Sequence, residues 1–206
     1  MADMKLVVRN ERRILGIDPG FGRMGYAVVA AAGNDLRLMV CDAIMTPTGQ
    51  AYPLRLQLIY EELSVIIDRY CPQEAAIEKL FFGKNVTTAI GVAQARGVVL
   101  LILVQSGLTI AEYTPSEVKL AVTGYGAARK EQVGYMVRQL LDLPSIPRPD
   151  DAADAAAIAI CHAHTLRIIA QVGAFDWLER SLSLVYTRTA FQQKAVLFAF
   201  WGYVMT

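Results

Sequence analysis

Short apolar runs bounded by turn residues dominate the first half of the chain and predict β-strands. The run RRILGID ends at Asp18-Pro19-Gly20, which is a turn signal. Two further runs, MGYAVVAAA and DLRLMVCDAIMT, are separated by Gly33-Asn34-Asp35 and complete a predicted antiparallel meander of three strands. The shorter runs EAAIEKL and LTIAEY predict a fourth and a fifth strand further along the chain.

Between and after these strands, apolar residues recur at the spacing of α-helices. The segments PLRLQLIYEELSVIIDRY, NVTTAIGVAQARGVVLLILVQSG and ARKEQVGYMVRQLLDL each predict one helix. TPSEVKLAV predicts another, because Thr114, Pro115 and Glu117 form a complete capping box. A last helix begins near Asp150. The resulting order, β-β-β-α-β-α-β-α-α-α, predicts an α/β fold in which helices cover a mixed sheet.

Composition favours one folded domain. The chain has 206 residues, of which 54% are hydrophobic and 19% are charged, and this balance predicts a large core rather than disorder. No repeat or low-complexity segment divides it. We expect an N-terminal leader over 1–12 and the folded domain over 13–170. An apolar C-terminal extension over 171–206 has no assigned role.

Charge and cysteine content narrow the class of protein. The net charge of +1 does not indicate a globally basic nucleic-acid binder, but residues 79–148 hold eight basic and four acidic side chains. A local basic zone of this size either attracts phosphate or is ordinary solvated surface. The three cysteines are widely spaced and predict reduced thiols. No signal-peptide pattern opens the sequence and no apolar run is long enough to span a bilayer. These features predict a cytoplasmic protein with no membrane partner.

Four acidic residues fall where core residues would be expected. Asp18 and Glu78 each follow an apolar strand, at the edge where open α/β sheets place their sites. Asp151 and Asp154 lie three residues apart in RPDDAADAAAI, so they share one face of the last helix. If that helix packs with its first turn over the strand ends, all four carboxylates converge.

Four converging carboxylates require a cation, and ligands that are all oxygen suit Mg²⁺ or Mn²⁺. Two such ions are the usual means of hydrolysing a phosphodiester. Each acid also has a purely structural interpretation. Asp18 would initiate a turn, Glu78 would pair with a nearby base, and Asp150 or Asp151 would cap the helix. Asp154, one turn inside the helix, is the hardest to explain in this way.

The blocks ILGIDPGFGRMGYAVV, IEKLFFGKN, GVAQARGVVLL, EYTPSEVKLAVTGYGAARKEQVGYMVRQLL and PDDAADAAAIAICHAH together resemble the RuvC family of bacterial Holliday-junction resolvases. The resemblance covers residues 13–166 and keeps the blocks in the family's order and spacing. It implies an RNase H-like fold, that of the ribonuclease H superfamily, with a five-stranded mixed sheet. It also implies a homodimeric, Mg²⁺-dependent endonuclease that nicks two strands of a four-way DNA junction symmetrically, in DNA recombination and repair.

The resemblance assigns roles to six residues of the predicted site. It gives the two helix ligands as Asp151 and Asp154, which leaves Asp150 as the expected N-cap of the last helix. Two lysines would neutralise phosphate and stabilise charge in the transition state, although a solvated lysine is the alternative role for each. The implied catalytic set, whose acids are also the implied metal ligands, is Asp18, Glu78, Asp151, Asp154, Lys119 and Lys130.

The resemblance also implies how DNA is bound. Phe81, with Phe82 beside it, would insert as a wedge that stacks on bases at the crossover, although paired aromatics are usually core residues. Lys84, Asn85 and Arg129 would contact the DNA. The small-residue helix over 85–106 would supply the dimer contact. The branch-migration proteins RuvA and RuvB are the implied partners.

Three other classes remain open from the sequence alone. An actin-like phosphotransferase would share the first hairpin, but its second phosphate loop and adenosine motif are not found in this sequence. A smaller RNase H-like nuclease of the YqgF type, acting on RNA, also shares the hairpin. The long QARG helix and the late DxxD argue against it. A non-catalytic junction-binding protein is the third class. His162 and His164 are expected to pack or to cap a helix rather than to bind metal.

Overall fold

The order of strands and helices predicted from the sequence is confirmed. The structure, a computed structural model, describes residues 11–80 and 86–171. The strands are β1 (Arg12–Asp18), β2 (Arg23–Ala32), β3 (Asp35–Met45), β4 (Glu74–Glu78) and β5 (Thr109–Tyr113). The helices are α1 (Tyr52–Tyr70), α2 (Val86–Gln105), α3 (Pro115–Thr123), α4 (Lys130–Leu140) and α5 (Asp150–Gln171).

The five strands form one mixed sheet in the order β3-β2-β1-β4-β5. β1, β2 and β3 pair antiparallel as the predicted meander, whereas β4 lies parallel to β1 and β5 lies parallel to β4. Ile17 of β1 is opposite Ile77 of β4, so Asp18 and Glu78 are the next residues of two neighbouring parallel strands. They reach the same edge of the sheet.

Side chains alternate between the two faces of the sheet along each strand, and a hydrophobic core lies on each face. In β1, Ile14 packs with α3, α4 and α5, whereas Leu15 and Ile17 pack with α1 and α2 on the other face. Ala76 of β4 belongs to the α5 face. Because side chains alternate, Asp18 and Glu78 also lie on the face that α5 covers.

Two glycines allow α5 to lie directly against the sheet. A Cβ atom added at Gly16 of β1 would be 2.1 Å from the Ala155 carbonyl oxygen, and one added at Gly25 of β2 would be 1.9 Å from the Asp151 carbonyl oxygen. Both distances are far below contact distance, so any side chain there would displace the helix. The alanines on this stretch of α5 complete the close approach, since Ala152, Ala155, Ala156 and Ala159 are fully buried.

A buried polar network holds the middle of α5 against the sheet. His162 is 4% exposed and Glu74 is 7% exposed. Glu74 Oε2 lies 2.8 Å from His162 Nε2, and the hydroxyl of Tyr113 lies 2.7 Å from His162 Nδ1. Because both ring nitrogens have partners, His162 has a packing role, as expected. His164 Nδ1 lies 3.1 Å from the Ala121 carbonyl oxygen and likewise has a structural contact.

The two capping predictions have different outcomes. The capping box at Thr114 and Glu117 is present, with both reciprocal hydrogen bonds. The prediction that Asp150 caps α5 is wrong, because Asp150 lies inside the first turn of the helix. Its carboxylate pairs with Arg148 and with Lys130. The Asp150 carboxylate therefore binds neighbouring basic side chains instead of accepting hydrogen bonds from the backbone N–H groups of the helix.

By its length and composition α5 could span a membrane, contrary to the expectation from the sequence. Among the described residues, one helix, Asp150–Ala170, is long and apolar enough, and 61% of its apolar window is buried inside the protein. Such burial is typical of the core helix of a globular domain.

The chain divides into units Met1–Arg167 and Ile168–Thr206, and the second unit is described only through residue 171. The expected domain limits at 12/13 and 170/171 stay predictions.

Candidate active site

The carboxylates of Asp18 and Glu78 face one cavity, together with Asp154 of α5. The cavity has a volume of about 300 Å³, and its polar lining residues are Asp18, Glu78, Lys119, Lys130 and Asp154. Five of the six predicted catalytic residues therefore line one cavity. Val118, Val133 and Ile158 form part of its apolar wall. The packing of α3, α4 and α5 on one face of the sheet creates this enclosure.

The sixth residue, Asp151, lies beside the cavity rather than among its lining residues. Backbone packing holds Asp151 in place, because its carbonyl group lies against Gly25 of β2. The next residue is also held, since the Cys41 thiol donates to the Ala152 carbonyl oxygen at 3.1 Å. The first turn of α5 is thus anchored to β2 and β3. Asp151 is near enough to Asp18 to affect its ionisation.

Mutual repulsion of the acids is visible in their ionisation. The pKa of Asp18 is raised to about 7, mainly by burial and further by the charges of Asp154, Glu78 and Asp151, against the opposing effect of Lys130. Burial and the charge of Asp154 also raise the pKa of Glu78, against the opposing effect of Lys119. The part of each increase that comes from neighbouring acids reflects repulsion between carboxylates, which a bound cation would relieve.

The acids in the N-terminal part of α5, Asp150, Asp151 and Asp154, are each paired with a basic side chain from outside the helix. Lys130 Nζ lies 2.9 Å from Asp154 Oδ2, and this hydrogen bond, with the neighbouring acids, raises the pKa of Lys130. Arg23 Nη1 lies 3.0 Å from Asp151 Oδ2. The sequence predicted a role at the site for the lysine but not for Arg23. Arg23 lies within the block ILGIDPGFGRMGYAVV, but that block gave it no role, and only the tertiary structure brings β2 to α5.

The donor set fits a hard divalent cation in its chemistry. All four acids supply oxygen, and their repulsion identifies where positive charge would be most stabilising. Among the described residues, no three His, Cys, Asp or Glu side chains are already close enough to form a complete metal-binding group. Asp154 and Asp151 are instead paired with Lys130 and Arg23, at 2.9 and 3.0 Å.

The predicted DNA-binding residues fall largely outside the described part of the chain. Phe81, Phe82, Lys84 and Asn85 lie in the segment 81–85, which the structure does not describe. Arg129 is described, and it is exposed at the start of α4, next to Lys130. Its backbone N–H donates to the Gln132 side chain at 2.8 Å. All five assignments therefore stay predictions.

The raised pKa of Asp18 leads to a prediction about stability. A carboxyl whose pKa is higher in the folded than in the unfolded chain destabilises the fold as pH rises from about 4 to about 7. Asp18→Asn should therefore stabilise the metal-free protein at pH 8, by on the order of 2–4 kcal/mol. The gain should disappear below about pH 4.

Chemical unfolding in a chelator at several pH values measures this difference, with Asp68→Asn, an exposed site on α1, as the matched control. A gain independent of pH, or one shared by the control, would contradict the assigned electrostatics.

Proteins of known family resemble this chain over most of its length. A family model described as crossover junction endodeoxyribonuclease RuvC matches residues 14–162. The RuvC of Chloroflexus aggregans is 54% identical over 161 residues, which cover 78% of this chain and 98% of that protein. The RuvC of a Roseiflexus species is 52% identical over 160 residues, covering 78% and 95% of the two chains.

Solved structures show the same fold. The RuvC of Thermus thermophilus, solved in complex with a Holliday junction substrate, superposes with a TM-score of 0.73. It is 35% identical, and the match covers 76% of this chain and 96% of that one. The yeast mitochondrial Holliday junction resolvase Ydc2 has a TM-score of 0.56 at 13% identity, which supports the fold alone.

Proposed function

This chain belongs to the RuvC family of crossover junction endodeoxyribonucleases, and we propose that it resolves four-way DNA junctions by metal-dependent hydrolysis. The observation that carries this proposal is the single cavity that Asp18, Glu78, Asp154 and two lysines share. Attack by water on the phosphorus and cleavage of the P–O3′ bond would leave 5′-phosphate and 3′-hydroxyl ends. The reaction needs concentrated negative ligands and nearby positive charge, and the cavity supplies both.

The four acids Asp18, Glu78, Asp151 and Asp154 would hold Mg²⁺, with Mn²⁺ as a substitute and two ions in each subunit. Such ions activate water and stabilise the leaving oxygen. Lys119 lies close enough to Glu78 to lower the pKa of that carboxyl against its other influences. We assign Lys119 to a phosphate oxygen at the cleaved position. Lys130, bonded to Asp154, would neutralise the acids until DNA and metal arrive.

Two equivalent cuts in a two-fold junction require two equivalent sites, which favours a homodimer. Helix α2 is the proposed contact, because its described part combines small residues with exposed Ile90 and Leu101, 56% and 53% exposed. RuvA and RuvB would be the partners in branch migration. A nuclease of this kind acts where chromosomal DNA is found, so we expect it in the cytoplasm.

The function is tested with a labelled four-way junction and a linear duplex of the same sequence, in Mg²⁺ and in chelator. Paired symmetric nicks in the junction alone, dependent on metal, would support the proposal. Cleavage of RNA or of an RNA–DNA hybrid in preference to the junction would instead indicate a YqgF-type nuclease. Binding of the junction without any nicking in Mg²⁺ or Mn²⁺ would indicate a non-catalytic junction-binding protein.

A further inference from the structure

Arg23, the first residue of β2, has a guanidinium beside the carboxylate cavity. Its Nη1 atom is 3.0 Å from Asp151 Oδ2, and its side chain is 47% exposed. Strand β2 places it on the α5 face, because Ala27 and Val29, at alternate positions of the same strand, pack in the α5 core. Arg23 therefore lies on the same face as Asp18 and is open to solvent.

The order of strands puts Arg23 and Lys119 on opposite sides of Asp18. β1 carries Asp18 and has β2 as one neighbour and β4 as the other. Lys119 acts on Glu78, at the end of β4, whereas Arg23 begins β2. Positive charge is thus available on both sides of the acidic centre, although Arg23 is not among the residues that line the cavity.

Positive charge on both sides of the acids would favour a DNA strand that crosses the cavity. The carboxylates repel phosphate, and a strand whose cleaved phosphate sits among them carries another phosphate on each side. We propose that Arg23 binds the backbone phosphate on the β2 side of the cleaved position. This inference rests on the proposed function, since it assumes that a DNA strand occupies the cavity.

The hydrogen bond to Asp151 orients the Arg23 guanidinium before DNA binds, which suits it to this role. An arginine side chain has many rotamers, and ordering it on binding is unfavourable. Here one donor is already engaged by Asp151, whose backbone is fixed against Gly25. The guanidinium has five N–H donors in a rigid planar fork. The hydrogen bond to Asp151 uses only one of them, so the fork can also bind a phosphate oxygen.

The test compares Arg23→Gln with Arg37→Gln in single-turnover nicking of a four-way junction in Mg²⁺. Arg37 is the matched control, because it is also an exposed arginine paired with an acid, Glu11, at 3.2 Å. It lies on β3 opposite Ala30 of β2, toward the other end of the sheet. The protein concentration for half-maximal nicking and the maximal rate are measured at 50 and 200 mM salt.

Removal of one phosphate contact reduces the salt dependence of binding by a slope of about 0.9. The defect of Arg23→Gln in half-saturating concentration should then be about 3.5-fold greater at 50 than at 200 mM salt for each phosphate that Arg23 binds. Its maximal rate should stay within a few-fold of that of the unsubstituted protein. Arg23→Lys, which keeps the charge, should recover most of the salt dependence, and Arg37→Gln should behave as the unsubstituted protein does.

An Arg23→Gln protein with unchanged half-saturation and salt dependence would overturn the inference. Failure of the unsubstituted protein to nick the junction in the same assay would instead count against the proposed function.

Discussion

Replacement of Asp18 or Asp154 by asparagine should lower the rate of junction nicking by roughly a thousandfold, the scale seen when one group that stabilises a transition state is removed. Asparagine keeps the shape of the side chain but removes its negative charge. The two acids line the same cavity, and the charge of Asp154 is the largest charge effect on the pKa of Asp18. Loss of either should weaken binding of the cation and its orientation together.

Affinity for the junction should remain, or rise slightly, since each substitution removes repulsion between carboxylate and phosphate. Nicking is measured by single-turnover kinetics and binding by fluorescence anisotropy of a labelled junction. Asp68→Asn, on the exposed surface of α1, is the control and should leave both unchanged. If the Asp18 and Asp154 variants lose junction binding along with nicking, these acids have a structural role and the proposed active site is wrong.

Gly25→Ala, which adds a single methyl group where β2 meets the first turn of α5, should strongly lower nicking activity. The new Cβ would lie 1.9 Å from the Asp151 carbonyl oxygen, so the first turn of α5 must move away from β2. A shift of about 1 Å in a catalytic group lowers activity by roughly a hundredfold. Forcing atoms into a packed interface also destabilises a fold by about 1–3 kcal/mol.

Gly16→Ala separates the two effects. Its Cβ would meet the Ala155 carbonyl oxygen at 2.1 Å, one turn further along α5 than the contact at Asp151. Both variants should lose stability in chemical unfolding, and Gly25→Ala should show the larger loss of nicking in the protein that remains folded. Gly49→Ala is the matched control, because a Cβ there meets no atom within 4 Å. Wild-type activity in folded Gly25→Ala would show that α5 does not need this close contact to position its acids.

The two predictions test two separate requirements of the proposed active site. The acid substitutions test whether negative charge in the cavity performs the chemistry. The glycine substitutions test whether the approach of α5 to the sheet brings that charge into place. A result in which charge matters but helix position does not would mean that a bound cation gathers the carboxylates by itself.

Much of this fold follows from local sequence signals. Period-two alternation in β1 and β2, the capping box at Thr114, and the helical spacing in α1 each depend on residues close together in the chain. Such signals are visible without tertiary contacts. That Asp18 and Glu78 lie at a site edge could also be predicted, because both follow apolar strands and open α/β sheets place their sites at that edge; that their strands are neighbours came from the structure. The role of Asp150 could not, since its carboxylate had both the helix N–H groups and the neighbouring bases available.

The sequence by itself determined the element order, the mixed sheet and the acidic residues of the site, because apolar periodicity and strand ends are properties of the chain. Only the tertiary structure decided that Asp151 lies beside the cavity rather than in its lining. It also decided that Lys130 and Arg23 pair with the acids of α5. These contacts join residues up to 128 positions apart, and their geometry depends on how closely α5 packs on Gly16 and Gly25. That distance is set by backbone contact between elements, which no local pattern records.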